Sequence, residues 1–260
     1  MPSELITTLA YAAMVIWVYM SAWFIVSIAI KRNDVADAAW GLGFVVASIA
    51  SYIHVQNHTF TAILATVIVT IWGLRLSWHI GRRNVKKTED YRYKVYRDTW
   101  GKWFVARSYF QIYILQGFFM LLIVSPILII YTYAQDGIPP LAIVGALVWL
   151  FGFLFESIGD KQLKTFISDA KNKGHVMQSG LWQFTRHPNY FGEVTQWWGI
   201  GIIALTCDYG WLGLIGPLVI TWLIVKVSGV PMLEQKYADN PEYQAYKHKT
   251  SVLIPLPIKK

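Results

Sequence analysis

The densest group of residues able to do chemistry lies in the run Gly180-Leu-Trp-Gln-Phe-Thr-Arg-His-Pro-Asn-Tyr-Phe-Gly-Glu193. Pro188 suits the first turn of a helix, because the N–H that it lacks has no intrahelical partner there. Arg186 and His187 then stand at the positive end of that helix, which favours anions. Asn189 and Glu193 are four residues apart and share one helix face. The run indicates either a phosphate site with a hydrogen-bonding pair below it or a capped helix with interfacial charges.

Ionisable residues also lie inside or at the edge of apolar segments, where a charge is costly in lipid. Arg75 requires a carboxylate or phosphate partner, which is either a ligand or an ion-pair partner such as Glu156 or Glu193. Glu156, Asp160 and Lys164 repeat every four residues, so one helix face presents all three. That face is either part of a site or a solvated stripe of salt bridges.

Two carboxylates near the N-terminal end of the second apolar segment, Asp34 and Asp37, are candidates for acid chemistry. A carboxyl group buried there is held protonated by desolvation and donates a hydrogen bond to a substrate carbonyl. The alternative is that both carboxylates pair only with Lys31 and Arg32 at the membrane edge.

The elements that position these residues belong in a lipid bilayer. Hydrophobic residues make up 55% of the chain, charged residues only 15%, and aromatic residues 16%, including 13 Trp. This composition is unlike that of a soluble domain. The net charge of +8 comes from loops between apolar runs and accompanies no nucleic-acid-binding motif, so we expect no nucleic-acid partner. Cys207 is the one cysteine, so no zinc or other metal site is predicted.

The pattern of apolar runs predicts an all-α, polytopic integral membrane protein that forms a single membrane domain over residues 1–260. The runs approach the length needed to cross the hydrocarbon core, roughly 20 residues, and the second and sixth are short and flanked by polar residues, so either is broken or tilted or has the least certain ends. The seven predicted transmembrane helices lie near residues 5–30, 39–55, 59–80, 110–133, 138–157, 190–206 and 210–228.

Positive charge lies almost entirely on one side of these predicted helices. Every Lys and Arg except Arg75 falls in the loops 31–38, 81–109 and 158–189 or in the tail from 226, whereas the alternate connections hold none. The positive-inside rule therefore places the N-terminus outside and the C-terminus in the cytoplasm. The longer, charged loops make the cytoplasmic face the expected place for chemistry. Short outer loops and a single cysteine suit a bacterial inner membrane.

Residues 180–199 resemble the C-terminal region of the steroid 5-alpha-reductase family, especially its bacterial relatives. The shared features are a Gly-Leu-aromatic lead, an Asn-aromatic-x-Gly-Glu sequence from Asn189 to Glu193 and an aromatic-Gly pair at Trp198-Gly199. The resemblance extends over about 150–255, which we take as a reductase-like C-terminal region carrying the cofactor motif. It implies a seven-helix reductase with NADPH in the cytoplasmic half and a lipid-like enone, steroid or other, entering from the membrane.

The resemblance also implies roles for individual residues. By position, Asn189, Glu193 and Trp197 contact the cofactor, and Asp160 forms a hydrogen bond to it. The remaining predicted cofactor contacts are Arg75, Arg82, Arg83, Lys164, Arg186, His187, Tyr190 and Tyr237. The predicted catalytic residues are Asp37, Asp34 and Glu193.

This sequence departs from the family at the residues that polarise the substrate ketone. The animal enzymes use a Gln-Glu pair and a Tyr, and a rough overlay places Gly43-Phe44 and Trp72 there. Asp34 and Asp37 are the nearest substitutes.

Two other classes of function remain open. An S-adenosylmethionine-dependent membrane methyltransferase shares an Arg-His-Pro lead, but its tail is expected to carry paired glutamates where Glu234 stands alone. A lipid-binding or scaffold protein would use Asn189 and Glu193 only to tie helices together. Apart from the bilayer and a lipid-like substrate, no obligate protein partner is predicted.

Overall fold

The computed structural model describes residues 3–85 and 88–258, and within these ranges it contains helices and no β-strand. The all-α class predicted from the sequence is therefore confirmed. The α-helices are α1 (Ser3–Ile30), α2 (Val35–Val55), α3 (Phe60–Val85), α4 (Tyr91–Trp100), α5 (Phe104–Ser108), α6 (Leu115–Tyr133), α7 (Pro140–Ser168), α8 (Pro188–Ala204), α9 (Ile215–Trp222), α10 (Val230–Lys236) and α11 (Pro241–Lys249).

The chain divides into two compact units. The first unit comprises Met1–Pro139 and Ile203–Gly216, and the second comprises Pro140–Ile202 and Pro217–Lys260. Most of the predicted reductase-like region at 150–255 falls in the second unit. The prediction of a single membrane domain is not tested by this division and stays a prediction.

Helices of the first unit pack through small residues and buried hydroxyl groups. A Cβ atom added to Gly41 would lie 2.6 Å from the carbonyl oxygen of Gly73, so the backbones of α2 and α3 touch there. The hydroxyl of Tyr131 on α6 lies 2.5 Å from that of Ser48 and 2.7 Å from that of Thr66. These hydrogen bonds join α2, α3 and α6 and pair hydroxyl groups that would otherwise be unsatisfied in the interior.

The second unit is built on a close antiparallel contact between α7 and α8. Glycines recur at seven-residue spacing on both helices: Gly145, Gly152 and Gly159 on α7, Gly192 and Gly199 on α8. A Cβ atom on Gly152 would lie 2.6 Å from the Gly192 carbonyl oxygen, and one on Gly199 would lie 2.6 Å from the Gly145 carbonyl oxygen. The spacing keeps each glycine on the same helix face, so the two backbones stay in contact over several turns.

Six helical segments are long and apolar enough to cross a membrane, so the protein is an integral membrane protein of the lipid bilayer. They are Ser3–Ile30, Val35–Val55, Phe60–Asn84, Tyr93–Tyr133, Pro140–Ser168 and Gly210–Lys236, all found among the described residues. The span predicted at 190–206 forms α8, but the 17 residues of this helix leave it outside the six. The seventh span and the sides of the two termini therefore stay predictions.

Candidate functional site

In the second unit, the loop before α8 is held against α7. Gly180 adopts φ +64°, and a Cβ atom there would lie 2.5 Å from the Gln162 amide, so this position favours glycine. The Gln162 side chain accepts a hydrogen bond from the Leu181 N–H at 2.9 Å. The Trp182 indole donates to the Gly159 carbonyl oxygen at 3.1 Å. These contacts fix the direction in which the chain enters α8.

One face of α8 carries the polar residues that the sequence singles out. Pro188 is the first residue of α8, as predicted, and Asn189, Glu193 and Trp197 follow at four-residue spacing. Asn189 and Glu193 are half-buried, and Trp197 is fully buried. The Asn189 side chain makes no hydrogen bond within the described part of the chain, so its amide is available to a ligand.

The facing side of α7 contributes carboxylates. Gly159 packs so closely on α8 that an added Cβ atom would lie 3.4 Å from the Asn189 nitrogen, which places the next residue, Asp160, beside the first turn of α8. Asp160 is 9% exposed and Glu156 is 2% exposed, whereas Lys164 is exposed. Because both carboxylates are buried, this face of α7 is not a solvated stripe of salt bridges.

Glu156 has a partner on α8 that the sequence did not suggest. The Gln196 side-chain amide donates to its carboxylate at 2.6 Å, and both side chains are buried. The local sequence gives no sign of this contact, because Gln196 lies 40 residues from Glu156 along the chain.

Arg186 is buried, and the chain itself uses all its side-chain nitrogens. Its Nε and Nη2 donate to Glu234 at 2.9 and 2.5 Å, and its Nη1 donates to the backbone carbonyls of Lys247 and Thr250. Because these donors are engaged, the geometry lends no support to the predicted phosphate contact through Arg186.

Glu234 is the centre of this ion cluster. Its carboxylate lies 2.7 Å from the Lys247 ammonium and 3.7 Å from His187 Nε2. Burial lowers the pKa of His187 to about 4, an effect that neighbouring Arg186 reinforces and Glu234 opposes. His187 is therefore neutral at pH 7, and its ring stacks on Tyr190 with the centroids 5.5 Å apart. Of the two cations predicted at the start of α8, only Arg186 is charged, and Glu234 already balances its charge.

Residues 246–256, which we call the C-terminal strap, cover the loop before α8. The hydrogen bonds that hold the strap in place include those from the Tyr246 hydroxyl to the Trp182 carbonyl, from the Arg186 N–H to the Ser251 carbonyl at 2.9 Å and from the Leu256 N–H to the Phe184 carbonyl at 3.0 Å. Tyr237, a predicted cofactor contact, lies outside the strap, is exposed and stacks on Tyr243 with the centroids 5.2 Å apart.

In the first unit, the two candidate acids have different partners. Arg32 binds the Asp34 carboxylate through two hydrogen bonds, at 3.0 and 2.7 Å, and this bond raises the pKa of Arg32. Asp34 therefore makes the ion pair that the sequence offered as the alternative to catalysis. Asp37 instead accepts a hydrogen bond at 2.9 Å from the hydroxyl of Tyr93, which is buried and 56 residues away.

The predicted arginines of α3 lie along the same helix. Arg75 is half-buried, while Arg82 and Arg83 are exposed. The Arg82 guanidinium lies 5.4 Å from the centroid of the exposed Trp78 ring, which is a cation–π contact. The Arg83 Nε lies 3.4 Å from the Asn84 side-chain oxygen.

Comparison with known proteins shows the family to which this chain belongs. Residues 23–250 match the family described as "Protein of unknown function (DUF1295)". The chain belongs to this family. It is 25% identical over 223 residues to an uncharacterised protein of Schizosaccharomyces pombe, a match that covers 72% of this chain and 61% of the relative. It is 29% identical over 80 residues to 3-oxo-5-alpha-steroid 4-dehydrogenase 1 of Bos taurus, covering 30% of this chain and 31% of the relative. Thus each match spans less than two thirds of the relative, and no solved structure matches the chain.

The part of the chain that matches DUF1295 contains every predicted site residue. The first unit holds Asp34, Asp37, Arg75, Arg82 and Arg83. The second unit holds Asp160, Lys164, Arg186, His187, Asn189, Tyr190, Glu193, Trp197 and Tyr237. Within the second unit, Asp160 and the polar face of α8 come together, and Lys164 lies further along α7 at the surface.

Proposed function

We propose that this DUF1295 protein is an NADPH-dependent membrane reductase that transfers hydride to the C=C bond of a conjugated ketone in a steroid or other lipid-like substrate. The name of the Bos taurus relative supports oxidoreductase chemistry. The observation that carries the proposal is the half-buried face of Asn189 and Glu193 beside the buried Asp160. Ionisable groups at such depth in a membrane protein mark functional sites by default.

The residues of this face suit the groups that a dinucleotide presents. The Asn189 amide is a donor for phosphate or carbonyl oxygens, and the N-terminal end of α8 beside it favours negative charge. Asp160 and Glu193 are acceptors for ribose hydroxyls or a carboxamide, and the exposed Lys164 is a cation for phosphate. NADPH bound here would supply the hydride.

Asp37 is the acid that we propose for the substrate carbonyl. Addition of hydride to the β carbon leaves an enolate with negative charge on the carbonyl oxygen, and a protonated carboxyl stabilises that charge by donating a hydrogen bond. A proton from an acid or from water then adds to the α carbon and completes the reduction. The hydrogen bond from Tyr93 fixes the orientation of Asp37, whereas Asp34 is held by Arg32. Glu193 is the second candidate for a catalytic role.

We also propose that α8 is the seventh transmembrane helix. This arrangement keeps every charged loop on one side, so that the N-terminus is outside and both the C-terminus and the cofactor site face the cytoplasm. Such a protein suits a bacterial inner membrane.

Extraction of the small molecules that copurify with the detergent-solubilised protein tests the proposed function. We expect NADP(H), and we expect added NADPH to be oxidised in the presence of an enone lipid, with loss of absorbance at 340 nm. Recovery of S-adenosylmethionine or its demethylated product would instead identify a methyltransferase. We do not expect that outcome, because a methyltransferase tail is expected to carry paired glutamates. Here Glu234 stands alone, and it is already bound by Arg186 and Lys247.

A further inference from the structure

Helices α4 and α5 of the first unit have one face packed against the protein and one face exposed. Tyr93, Arg97 and Ser108 lie on the packed face, where they bind Asp37, Glu89 and Asn33 respectively. The opposite face carries large apolar side chains and cations together. We call these exposed side chains, which come from α4, from α5 and from the short turn that follows each helix, the basic-aromatic face; they are Lys94, Val95, Lys102, Trp103, Arg107 and Phe110.

The length of the fourth candidate span fixes where this face lies relative to the bilayer. The segment Tyr93–Tyr133 has 41 residues and, at about 1.5 Å per residue, is about 60 Å long. The hydrocarbon core is only about 30 Å thick, so roughly half of the segment must lie outside it. All the charged residues of the segment fall at or before Arg107, so residues from about 110 onward are the immersed part.

The backbone allows the segment to change direction at this boundary. Gly101 adopts φ +49°, a conformation that interrupts a regular helix, and residues Tyr109–Ile114 form a π-helical turn. Residues 94–108 can therefore run along the membrane surface while α6 crosses the membrane.

The chemistry of the exposed face matches the headgroup layer. Trp103 is 59% exposed and Phe110 is 63% exposed, which is unfavourable in water but suits the region between headgroups and acyl chains. Lys94, Lys102 and Arg107 are exposed and make no ion pair within the described ranges of the chain, and Asp98 is the acid exposed among them. We propose that the basic-aromatic face binds the headgroups of anionic phospholipids.

A titration of the full-length protein in dodecylmaltoside micelles tests this proposal. Native mass spectrometry would count bound dioleoylphosphatidylglycerol and, separately, bound dioleoylphosphatidylcholine. Since each cation near an anionic surface changes affinity by about fivefold, the variant Lys94→Gln/Lys102→Gln/Arg107→Gln should bind phosphatidylglycerol at least about tenfold more weakly. The matched control is Lys171→Gln/Lys173→Gln/Lys249→Gln, which removes the same charge from exposed positions of the second unit. It should change the affinity less than about twofold.

If the triple variant does not fold, two other measurements test the binding of anionic lipid. Asp98→Asn removes the exposed acid of this face and should strengthen phosphatidylglycerol binding by about twofold, while phosphatidylcholine binding stays the same. Glycerol phosphate in excess should not compete, because it lacks the acyl chains that Trp103 and Phe110 contact. Equal losses for both lipids, competition by glycerol phosphate or an unchanged triple variant would each overturn the proposal.

Discussion

Polar side chains in the second unit differ in whether other residues of the chain already form hydrogen bonds with them. This difference separates the candidate binding residues from the structural ones. The Asn189 amide makes no hydrogen bond within the described residues, whereas the Arg186 guanidinium makes four to Glu234 and two carbonyls. We therefore expect substitutions at Asn189 to change ligand affinity and substitutions at Arg186 or Glu234 to change stability.

Replacement of Asn189 or Glu193 by Ala should weaken NADPH binding more than tenfold, because each loses a hydrogen bond at the proposed cofactor face. Thr195→Ala is the matched control, since Thr195 lies on the other side of α8 and its hydroxyl binds the Phe191 carbonyl. Quenching of tryptophan fluorescence by added NADPH measures the affinity. Unchanged affinity in both Asn189→Ala and Glu193→Ala would refute the site assignment.

Glu234→Gln should strongly destabilise the protein, because it leaves the buried Arg186 cation without its carboxylate. Loss of one partner of a buried ion pair costs about 3–5 kcal/mol, which corresponds to a fall of about 10 °C in the midpoint of thermal unfolding. Glu242→Gln is the control, since its pair with His175 is largely exposed and is worth less than about 1 kcal/mol. Thermal unfolding followed by tryptophan fluorescence in detergent compares the two, and equal shifts would contradict the role of Glu234.

Stability should fall as the pH decreases from about 6.5 to about 4, in part because of His187. In this window the unfolded chain protonates His187 at its ordinary pKa, while burial keeps the folded pKa at about 4. The unfolded state therefore binds more protons, and protonation favours unfolding. Thermal midpoints measured across this range should change less with pH in His187→Asn than in the wild type. The exposed His248 provides the comparison, and His248→Asn should keep the wild-type profile.

At the scale of elements, close contact between α7 and α8 is what brings the carboxylates of one helix beside the polar face of the other. The glycine spacing that permits this contact is visible in the sequence at Gly145, Gly152 and Gly159. It is a signal for helix pairing that hydropathy alone does not contain, because glycine contributes little to an apolar run.

Gly152→Ala should separate these two helices, because its Cβ atom would lie 2.6 Å from the Gly192 carbonyl oxygen and 2.8 Å from the Gln196 nitrogen. Overpacking of this kind costs about 1–3 kcal/mol, and it should also weaken NADPH binding by displacing Asp160 from α8. Gly81→Ala makes the same chemical change in α3, where nothing lies within 4 Å, and should stabilise the helix by up to about 1 kcal/mol. Midpoints of thermal unfolding that move in the same direction in both variants would contradict the packing argument.

At the scale of the whole molecule, the number of spans decides which face carries the proposed site. In a Cys207→Ser background, Asp208→Cys and Lys173→Cys place single thiols at exposed positions on either side of α8. If α8 spans the membrane, a membrane-impermeant maleimide added to intact cells should label Asp208→Cys and not Lys173→Cys. Labelling of both from the same side would mean that α8 does not cross.

The sequence predicted the parts of this protein that depend on local pattern. Long apolar runs located the six candidate spans, and the four-residue spacing of Asn189 and Glu193 predicted their shared face. The start of the fourth span was harder to predict from the sequence. The charged residues of α4 and α5 interrupt the apolar pattern, although the chain stays largely helical from Tyr93 to Tyr133.

Contacts between distant segments were not predictable in the same way. Arg186 lies 48 residues from Glu234, and Asp37 lies 56 residues from Tyr93. Each pair forms only because turns and helix packing bring the two segments together, and the local sequence around either residue carries no sign of its partner. Because the local sequence does not reveal Glu234 as the partner of Arg186, Arg186 was predicted to contact phosphate.

The C-terminal strap has a consequence for how the protein is made. Tyr246 follows Trp182, whose carbonyl it binds, by 64 residues, so the ribosome adds it roughly 3–13 seconds later. During that interval the loop before α8 has unsatisfied carbonyls, and Arg186 has no Glu234 until the chain is synthesised past that residue. A nascent chain that stalls before the strap would expose these groups to membrane proteases, so quality control should remove it.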